Sequence, residues 1–404
     1  MEVNFTVSTG KGKFAAPPSK SMAHRLLICA ALSEGVSEID NISFSDDIKA
    51  TAECIKTIGA ETEIIGNKIR VTGMAPENFN ENQDLFCGES GSTLRFLIPV
   101  VLLSDKKFVF TGSDRLFERP LGVYEEIFRE QNISFEHGKD CLLIKGVLKN
   151  GDYRISGNIS SQFISGLLFA LPLLEGESRI FIAPPVESRP YIDMTVDALS
   201  KFGISVKWEN GNTIFIPGNQ KYSAAKVSVE GDFSNAAFFG ALNCLGSEID
   251  ICGTDSSSKQ GDRIFPELFK AVENGESDID ISNCPDLGPI LFAVAAAKNG
   301  GSFIGAKRLH LKESDRISSM AEELLKFGSR LIESNGKITV SPITHAPNEI
   351  LFGHNDHRIV MALSVLLTEY GGSVSGAEAV NKSFPEFFDE LCRLGFKFTT
   401  KGDI

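Results

Sequence analysis

The chain has 404 residues, of which 42% are apolar and 23% are charged, and its formal net charge is −13. This length favours two domains over a single core. The negative charge argues against nucleic acid or an anionic membrane as the main partner, and any anion site must gather its cations locally.

The eight cysteines form no Cys-x-x-Cys pair, and several of them lie in apolar runs. We therefore predict reduced thiols, no zinc site and a cytoplasmic location. The polar, alternating residues 1–12 are not typical of a signal peptide. Apolar runs such as residues 96–103 are too short to span a bilayer.

Six segments begin with small polar or acidic residues and continue as apolar helices. In chain order they begin near Ser19, Gly91, Ser160, Asp232, Asp286 and Asn355. These starts recur about every 70 residues, with one shorter step of about 55, which indicates an internal repeat. A second, amphipathic helix follows in most copies and ends before a glycine, as at Gly59, Gly203, Gly328 and Gly395. Strand-like alternation comes next, so each repeat is predicted as β-α-β-α-β-β.

Helices that are apolar on nearly every face must be buried on every face. Six of them predict an α/β protein with two bundles of three helices, each wrapped by sheets. The positive ends of the helix dipoles would then converge in a way that suits anions. The simpler interpretation is that each Ser or Asp only caps its helix. That interpretation is favoured for any single helix start, whereas the six starts together favour a function in anion binding.

Two segments place cations beside hydroxyls or carboxylates at a helix start. They are residues 17–25, which include Lys20 and Arg25, and residues 311–316, where a strand is predicted to pass into a helix. Because these segments lie far apart in the chain, they indicate two halves that close around a phosphorylated or carboxylated small molecule.

The motifs of this chain, in register over about 370 residues, resemble those of the 5-enolpyruvylshikimate-3-phosphate synthase family of enolpyruvyl transferases. The matching segments are residues 19–25, 87–95, 118–120, 160–163, 188–191, 230–232, 285–286, 312–316, 355–358 and 382–385. The chain departs from the family pattern at Pro18, Glu89, Ser92 and Phe96. Arg308 stands where the family often has an asparagine that touches the shikimate ring, so that role is not carried over.

The resemblance implies the two-domain enolpyruvyl transferase fold, with three repeats per domain around buried parallel helices. Domain I would comprise residues 1–18 and 231–404, domain II would comprise residues 19–230, and the active site would lie in the cleft between them. The resemblance also implies a monomer that needs no cofactor and no metal. Its partners would be anionic small molecules.

The implied reaction transfers the carboxyvinyl group of phosphoenolpyruvate to the 5-hydroxyl of shikimate 3-phosphate and releases phosphate. This transfer of a non-methyl alkyl group belongs to the shikimate pathway to chorismate and aromatic amino acids. By resemblance the catalytic residues are Asp286, Glu313, Lys20 and Lys312. The shikimate 3-phosphate contacts are Lys20, Ser21, Arg25, Ser160, Ser161, Gln162, Ser188, Asp286 and Lys312. The phosphoenolpyruvate contacts are Lys20, Gly91, Arg119, Gln162, Arg316, Arg358 and Lys382.

An enol ether carbon is a poor electrophile until its methylene is protonated, so the site needs an acid near the methylene and a base near the hydroxyl. Glu313 resembles the acid, and a hydrophobic wall or a second carboxylate should favour its proton. Asp286 resembles the base. The simpler interpretations are a solvated first-turn Glu313 and an N-cap Asp286. His24 is interpreted as structural and His357 as a secondary site candidate.

Two other functions remain open. The first is the enolpyruvyl transferase that acts on UDP-N-acetylglucosamine, whose first motif carries Lys-Asn and whose loop carries a reactive cysteine. This chain has Lys20-Ser21 and no cysteine near Arg119. The second is a non-catalytic anion-binding relative, which the intact Asp286, Lys312 and Glu313 disfavour.

Overall fold

The computed structural model describes residues 1–402. The chain divides into two compact units, which we call unit 1 (Met1–Pro17 with Gly231–Ile404) and unit 2 (Pro18–Glu230). The backbone therefore passes between the units twice, once after Pro17 and once after Glu230. Within the described part of the chain, no helix is both long enough and apolar enough to cross a membrane.

The helices follow the order expected of a repeated fold. In unit 2 they are α1 (Lys20–Ala31), α2 (Asp46–Ile58), α3 (Gly91–Val101), α4 (Asp114–Glu118), α5 (Gly122–Glu130), α6 (Ser161–Ala170) and α7 (Arg189–Lys201). In unit 1 they are α8 (Phe233–Cys244), α9 (Phe265–Glu273), α10 (Gly288–Ala297), α11 (Arg316–Leu325), α12 (His357–Tyr370) and α13 (Phe387–Arg393).

Strands separate these helices throughout both units. In chain order they are β1 (Glu2–Thr6), β2 (Lys11–Ala15), β3 (Ser33–Glu34), β4 (Val36–Asp40), β5 (Glu61–Ile65), β6 (Lys68–Thr72), β7 (Gln83–Phe86), β8 (Phe108–Thr111), β9 (Ser134–His137), β10 (Cys141–Lys145), β11 (Asp152–Ser156) and β12 (Ser178–Ala183). They continue as β13 (Lys207–Asn210), β14 (Thr213–Ile216), β15 (Tyr222–Ser223), β16 (Lys226–Ser228), β17 (Glu248–Cys252), β18 (Ile279–Asp280), β19 (Gly301–Ile304), β20 (Leu331–Ser334), β21 (Lys337–Val340), β22 (Leu351–Phe352), β23 (Gly372–Ser375) and β24 (Lys397–Lys401).

The same four-stranded sheet recurs five times among the described residues. In the example β7-β8-β10-β9, β7 and β8 run parallel on either side of α3, and the hairpin β9–β10 adds two antiparallel strands. A parallel pair joined through a helix and a hairpin joined by a short turn are the ordinary connections for these strand directions. The repetition explains the regular spacing of helix starts in the sequence.

The repeat that begins with α8 lacks the hairpin. Its strand β17 pairs in parallel with β2 in a two-stranded sheet, and α9 is followed directly by β18. The missing strands account for the shorter step of about 55 residues between the starts of α8 and α10.

Strand pairing at the two crossings follows the units and not the chain order. β2 precedes α1 in the sequence, yet it pairs with β17 of unit 1. In the same way β16, which leads back to unit 1, pairs with β4 of unit 2. Each unit therefore completes its sheets with a strand that lies next to a crossing point.

Each unit is built around the apolar helices identified in the sequence. In unit 1, α8, α10 and α12 contact one another, and in unit 2, α3 contacts both α1 and α6. Buried apolar side chains form one core in each unit. The glycines that follow the amphipathic helices have positive φ angles, for example 130° at Gly59 and 71° at Gly328, as predicted.

Candidate active site

Five of the six apolar helices carry a capping side chain at their start. The capping residues are Ser19, Ser90, Ser160, Asp232 and Asp356, each accepting a hydrogen bond from a backbone N–H in the first turn. These five side chains therefore do cap their helices, as the simpler interpretation expects, and capping does not exclude a further contact to a ligand. The capping residue lies directly before the helix, so the residues that immediately follow it form the first helical turn.

Asp286 is the exception, and the N-cap interpretation of it is wrong. It lies in the 3₁₀ turn Pro285–Leu287 that precedes α10, and no side chain caps that helix. Its carboxylate instead meets three cations of unit 1. Lys312 Nζ and Arg316 Nη1 lie 3.1 and 2.9 Å from Oδ1, and Arg358 Nη2 lies 3.4 Å from Oδ2.

Asp356 fixes the orientation of Arg316. Its Oδ2 lies 2.8 Å from Arg316 Nε and its Oδ1 lies 3.2 Å from Nη2, while Oδ1 also accepts from the Arg358 backbone N–H at 2.9 Å. Burial alone would raise the pKa of Asp356, but Arg316 holds that pKa below its usual value. The bidentate contact leaves Arg316 Nη1 directed at Asp286.

Glu313 lies before α11 in the loop that follows a 3₁₀ turn, Lys307–Leu311. It is therefore not a first-turn helical glutamate. The prediction of a strand immediately before it is wrong, because that segment is the 3₁₀ turn. Glu313 Oε2 lies 2.8 Å from Nδ1 of His357, whose side chain is 1% exposed. Asp356 supplies the expected second carboxylate, since ligand atoms of Glu313, Asp356 and His357 all lie within 4.8 Å of one another.

Lys312 has an unusual environment for a lysine. Burial lowers its pKa to about 8, and Arg316 and Arg308 act in the same direction, although Asp286 partly compensates. An amine in this range gains and loses its proton near neutral pH. The side chain still shows 26% of its surface, so the ammonium group can meet a ligand.

Two groups of side chains place metal-ligating atoms close together: Glu313 with Asp356 and His357, and Glu322 with Glu323 and His354. In the first group Asp356 is already paired with Arg316. In the second, Glu323 is paired with Lys326 and accepts from the Phe352 backbone. A metal would displace these donors, so the donor sets favour the observed ion pairs over a metal centre.

Asp315, the next acidic residue of the 312–316 motif, has a structural role. It caps α11 by accepting from Ser318 N, and His310 Nδ1 lies 2.8 Å from its Oδ1. On the other side of the same ring, His310 Nε2 lies 2.9 Å from Glu333 Oε2. Burial lowers the pKa of His310, but Asp315 and Glu333 outweigh it and the net pKa is raised.

A raised His310 pKa predicts pH-dependent stability. The contribution of protonated His310 to the free energy of unfolding is fully present below the unfolded pKa of about 6.5. This contribution is lost as the pH rises through the pKa of His310 in the folded protein. We expect His310→Gln to reduce the free energy of unfolding by less than about 1 kcal/mol, because the pair is partly exposed, and to do so more at pH 5.5 than at pH 8.5. Urea denaturation measures this difference. Exposed His345, replaced in the same way, is the control, and an equal loss at both pH values would refute the assignment.

In unit 2, Lys20 is the first residue of α1. Its Nζ lies 2.7 Å from Asp47 Oδ2, and the two side chains are only 16% and 11% exposed. Asp47, on α2, was not identified from the sequence, because nothing in its local pattern distinguishes it from an exposed first-turn acid. The pair holds the ammonium group of Lys20 at the start of α1.

Gly91 and Arg119 lie against each other. A Cβ atom built on Gly91 would lie 2.5 Å from Arg119 Nη1, so the guanidinium occupies the space that a side chain would need. Nearby, Gln162 is held from both ends of its amide. Arg95 Nη1 donates to its Oε1 at 2.8 Å, and its Nε2 donates to Ser92 Oγ at 3.0 Å. Arg95, the last residue of the matching segment 87–95, therefore orients Gln162.

Arg25 is almost fully buried and is engaged with its own unit. Nε donates to Thr195 Oγ1 at 2.8 Å, Nη1 to the Ser21 carbonyl at 2.6 Å and Nη2 to the Tyr191 carbonyl at 2.9 Å. Burial lowers its pKa to about 10, so it remains charged at neutral pH. These contacts tie the start of α1 to α7, whose preceding residue Ser188 has a left-handed backbone with φ of 53°.

Of the remaining predicted residues, Ser160 and Ser161 lie at the start of α6, and Lys382 Nζ donates to the Asn355 carbonyl at 2.5 Å beside the start of α12. His24 is buried, with Nδ1 2.7 Å from Thr51 Oγ1. Burial lowers its pKa well below the usual value, which agrees with a structural histidine.

Comparison with known proteins matches the chain to a family. The family described as EPSP synthase (3-phosphoshikimate 1-carboxyvinyltransferase) matches residues 6–391. The chain is 41% identical over 406 residues to the 3-phosphoshikimate 1-carboxyvinyltransferase of Clostridium kluyveri, covering 95% of each chain. It is 40% identical over 416 residues to the protein of that name from Clostridium perfringens, covering 98% of each.

Solved structures agree on the fold. The structure of EPSP synthase from Acinetobacter baumannii superposes with a TM-score of 0.79 at 24% sequence identity and covers 99% of this chain and 100% of that one. The predicted α/β fold class is confirmed by this likeness.

Proposed function

This chain belongs to the EPSP synthase (3-phosphoshikimate 1-carboxyvinyltransferase) family, and from that premise we propose how its side chains perform the transfer. The reaction joins the 5-hydroxyl of shikimate 3-phosphate to C2 of phosphoenolpyruvate and releases phosphate. It is a step of the shikimate pathway of aromatic amino acid biosynthesis. The observation that carries the mechanism is the carboxylate of Asp286 amid Lys312, Arg316 and Arg358.

In the addition step, Asp286 takes the hydroxyl proton of shikimate 3-phosphate. The freed oxygen attacks C2 of phosphoenolpyruvate while Glu313 gives a proton to the methylene carbon. In this proposal the negative charge of Asp356 acts to keep a proton on Glu313, and the positive charge of Arg316 acts against it. In the elimination step the Glu313 carboxylate takes back one methyl proton, the C2–C3 double bond re-forms, and the C2–O bond breaks so that phosphate leaves with the electron pair. Asp286 then returns the hydroxyl proton to the phosphate or to solvent.

Cations bind the two anionic substrates in this proposal. Lys20, Arg119, Arg316, Arg358 and Lys382 hold phosphoenolpyruvate, with Gly91 and Gln162 beside it. The contacts to shikimate 3-phosphate come from Lys20, Ser21, Arg25, Ser160, Ser161, Gln162, Ser188, Asp286 and Lys312. The planar fork of arginine suits carboxylate and phosphate, which supports these assignments.

The test is release of phosphate from phosphoenolpyruvate with shikimate 3-phosphate or UDP-N-acetylglucosamine as the acceptor. We expect release only with shikimate 3-phosphate. Release only with the sugar nucleotide would assign the chain to the other enolpyruvyl transferase. Binding without turnover would make it a non-catalytic relative.

Lys382→Met tests the phosphoenolpyruvate clamp. Loss of one charge-assisted contact is worth about 1.4 kcal/mol, so we expect the KM for phosphoenolpyruvate to rise roughly tenfold. The KM for shikimate 3-phosphate should stay within about twofold, because this substrate does not meet Lys382 in the proposal. Lys337→Met removes a partly exposed lysine from the same unit and is the control. Equal changes for the two substrates would contradict the assignment.

We also propose that both units contribute contacts to the substrates and that binding of both substrates makes the chain more compact. The support is that the proposed contacts come from both units. Small-angle scattering should then show a smaller radius of gyration with shikimate 3-phosphate and an unreactive phosphoenolpyruvate analogue together than without them. An unchanged radius at saturating ligand would refute this compaction.

We propose that the enzyme is a cytoplasmic monomer. The cysteines are all free, which fits a reducing compartment. Sedimentation of the purified chain at micromolar concentration should give the mass of one copy, 43.9 kDa.

A further inference from the structure

Asp262 is a buried carboxylate that the mechanism above does not use. It lies in the 3₁₀ turn Gly261–Ile264 before α9, and only 2% of the residue is exposed. The Ser234 hydroxyl, in the first turn of α8, donates to Oδ2. Oδ1 is buried and has no hydrogen-bond partner among residues 1–402.

Other titratable groups face Asp262 from three elements of unit 1. They are Asp232 at the cap of α8, Asp286 and Cys284 at the turn before α10, and Arg358 in the first turn of α12. Burial and then the charge of Asp286 raise the pKa of Asp262 to about 7, and Arg358 and Ser234 act in the opposite direction. The geometry gives the same direction independently, because a buried carboxylate with one donor is poorly solvated.

The two protonation states of Asp262 have different effects on Arg358. The neutral acid can donate from Oδ2 to Ser234 Oγ and adds no charge to the cluster that contains the Arg358–Asp286 pair. The ionised form adds one negative charge to that cluster. It attracts the guanidinium of Arg358 and repels any anion that Arg358 would bind.

We propose that Asp262 is a positioning residue whose ionisation weakens the binding of phosphoenolpyruvate through Arg358. This inference rests on the function proposed above, which assigns Arg358 to that substrate. In this inference Asp262 does not touch the substrate and acts only by changing the net charge of the cluster around Arg358. No covalent bond of the substrate changes; the only transfer is of one proton between solvent and the Asp262 carboxylate.

The binding of phosphoenolpyruvate and the protonation of Asp262 are thermodynamically linked, so each must affect the other. If ionisation of Asp262 weakens phosphoenolpyruvate binding by some factor, binding must favour protonation of Asp262 by the same factor. The enzyme should therefore take up a fraction of a proton as phosphoenolpyruvate binds between about pH 6.5 and pH 8.5. Asparagine at position 262 would mimic the neutral acid in size and charge and would abolish that uptake.

The experiment measures the KM for phosphoenolpyruvate from pH 6 to pH 8.5 in wild type and Asp262→Asn. We expect similar values at pH 6 and, at pH 8.5, an additional rise of about five- to tenfold in the wild type, which corresponds to a coupling of up to about one pKa unit. The ionisation of the substrate itself, with a phosphate pKa near 6, is common to both enzymes and cancels in the comparison. Asp250→Asn, at an exposed position on β17, is the control for removal of one charge from the same unit.

A second variant keeps the proposal falsifiable if Asp262→Asn does not fold. Ser234→Ala retains Asp262 but removes the donor to its ionised form, so the midpoint of the KM rise should move to higher pH. Calorimetric titration of phosphoenolpyruvate in two buffers with different ionisation enthalpies measures the proton uptake directly. Parallel KM profiles in wild type and Asp262→Asn, or an unmoved midpoint in Ser234→Ala, would overturn the role of Asp262 while turnover persisted. Absence of turnover in the wild type would instead overturn the proposed function.

Discussion

Replacing Glu313 by glutamine is expected to lower turnover by about 10²–10⁴-fold, the range that general acid catalysis usually supplies. Glutamine keeps the shape of the side chain and a hydrogen bond to His357, but it has no proton to give to the methylene carbon. The KM for phosphoenolpyruvate should change little, because the residue acts in the transition state and not in binding.

Binding of shikimate 3-phosphate to Glu313→Gln can be measured apart from turnover. Trp208 is the only tryptophan of the chain, and the guanidinium of Arg189 lies 4.2 Å from the centre of its ring. Arg189 is the residue that follows Ser188, which is a proposed contact to this substrate. The fluorescence of Trp208 should report ligand at Ser188 equally in wild type and variant. Glu322→Gln, an exposed change on α11, is the control. Near-full turnover in Glu313→Gln would show that another group provides the proton.

Asp356→Ala should produce the largest loss of stability. Removing one partner of a buried ion pair leaves an uncompensated charge and costs about 3–5 kcal/mol, and loss of the α12 cap adds about 1 kcal/mol. Asp286 remains beside Arg316 Nη1, so we expect a total at the lower end of the summed range, about 4 kcal/mol. Turnover should fall as well, since Arg316 is no longer oriented.

Guanidinium denaturation followed by circular dichroism measures the loss. The informative comparison is the double variant Arg316→Met with Asp356→Ala, in which neither charge of the pair remains. Its loss should be smaller than the sum of the two single losses, because no unpaired arginine is left buried. Additive losses would mean that the 2.8 Å contact between Asp356 and Arg316 contributes little.

Much of this architecture is visible in the sequence because it depends on local chemistry. A serine or aspartate before an apolar helix, as at Ser90 or Asp232, is a cap whatever the tertiary fold is. A glycine such as Gly59 after an amphipathic run takes the positive φ that only glycine adopts readily. Repetition of these local signals fixed the positions of the apolar helices.

The contacts that orient the site are not local, and single residue patterns did not reveal them. Asp47 pairs with Lys20 across 27 positions, and Asp356 pairs with Arg316 across 40. Asp262 is hidden for the same reason, since in the sequence it is an ordinary acid in a polar stretch. The cap interpretation of Asp286 fails because Asp286 lies within a 3₁₀ turn that leads into α10, and such a turn has no sequence signal as strong as that of a cap.

The strand β1 has consequences for the order in which the protein is made. Its neighbours are β23 and β24, so Glu2 lies opposite Ser375 and Lys401. At about 5–20 residues per second, a ribosome needs roughly 20–80 seconds to reach those partners after the first strand has emerged. Residues 18–230, by contrast, are contiguous and can complete their own sheets during that interval. The first strand synthesised is thus among the last to pair, and the nascent chain carries it unpaired until synthesis is almost finished.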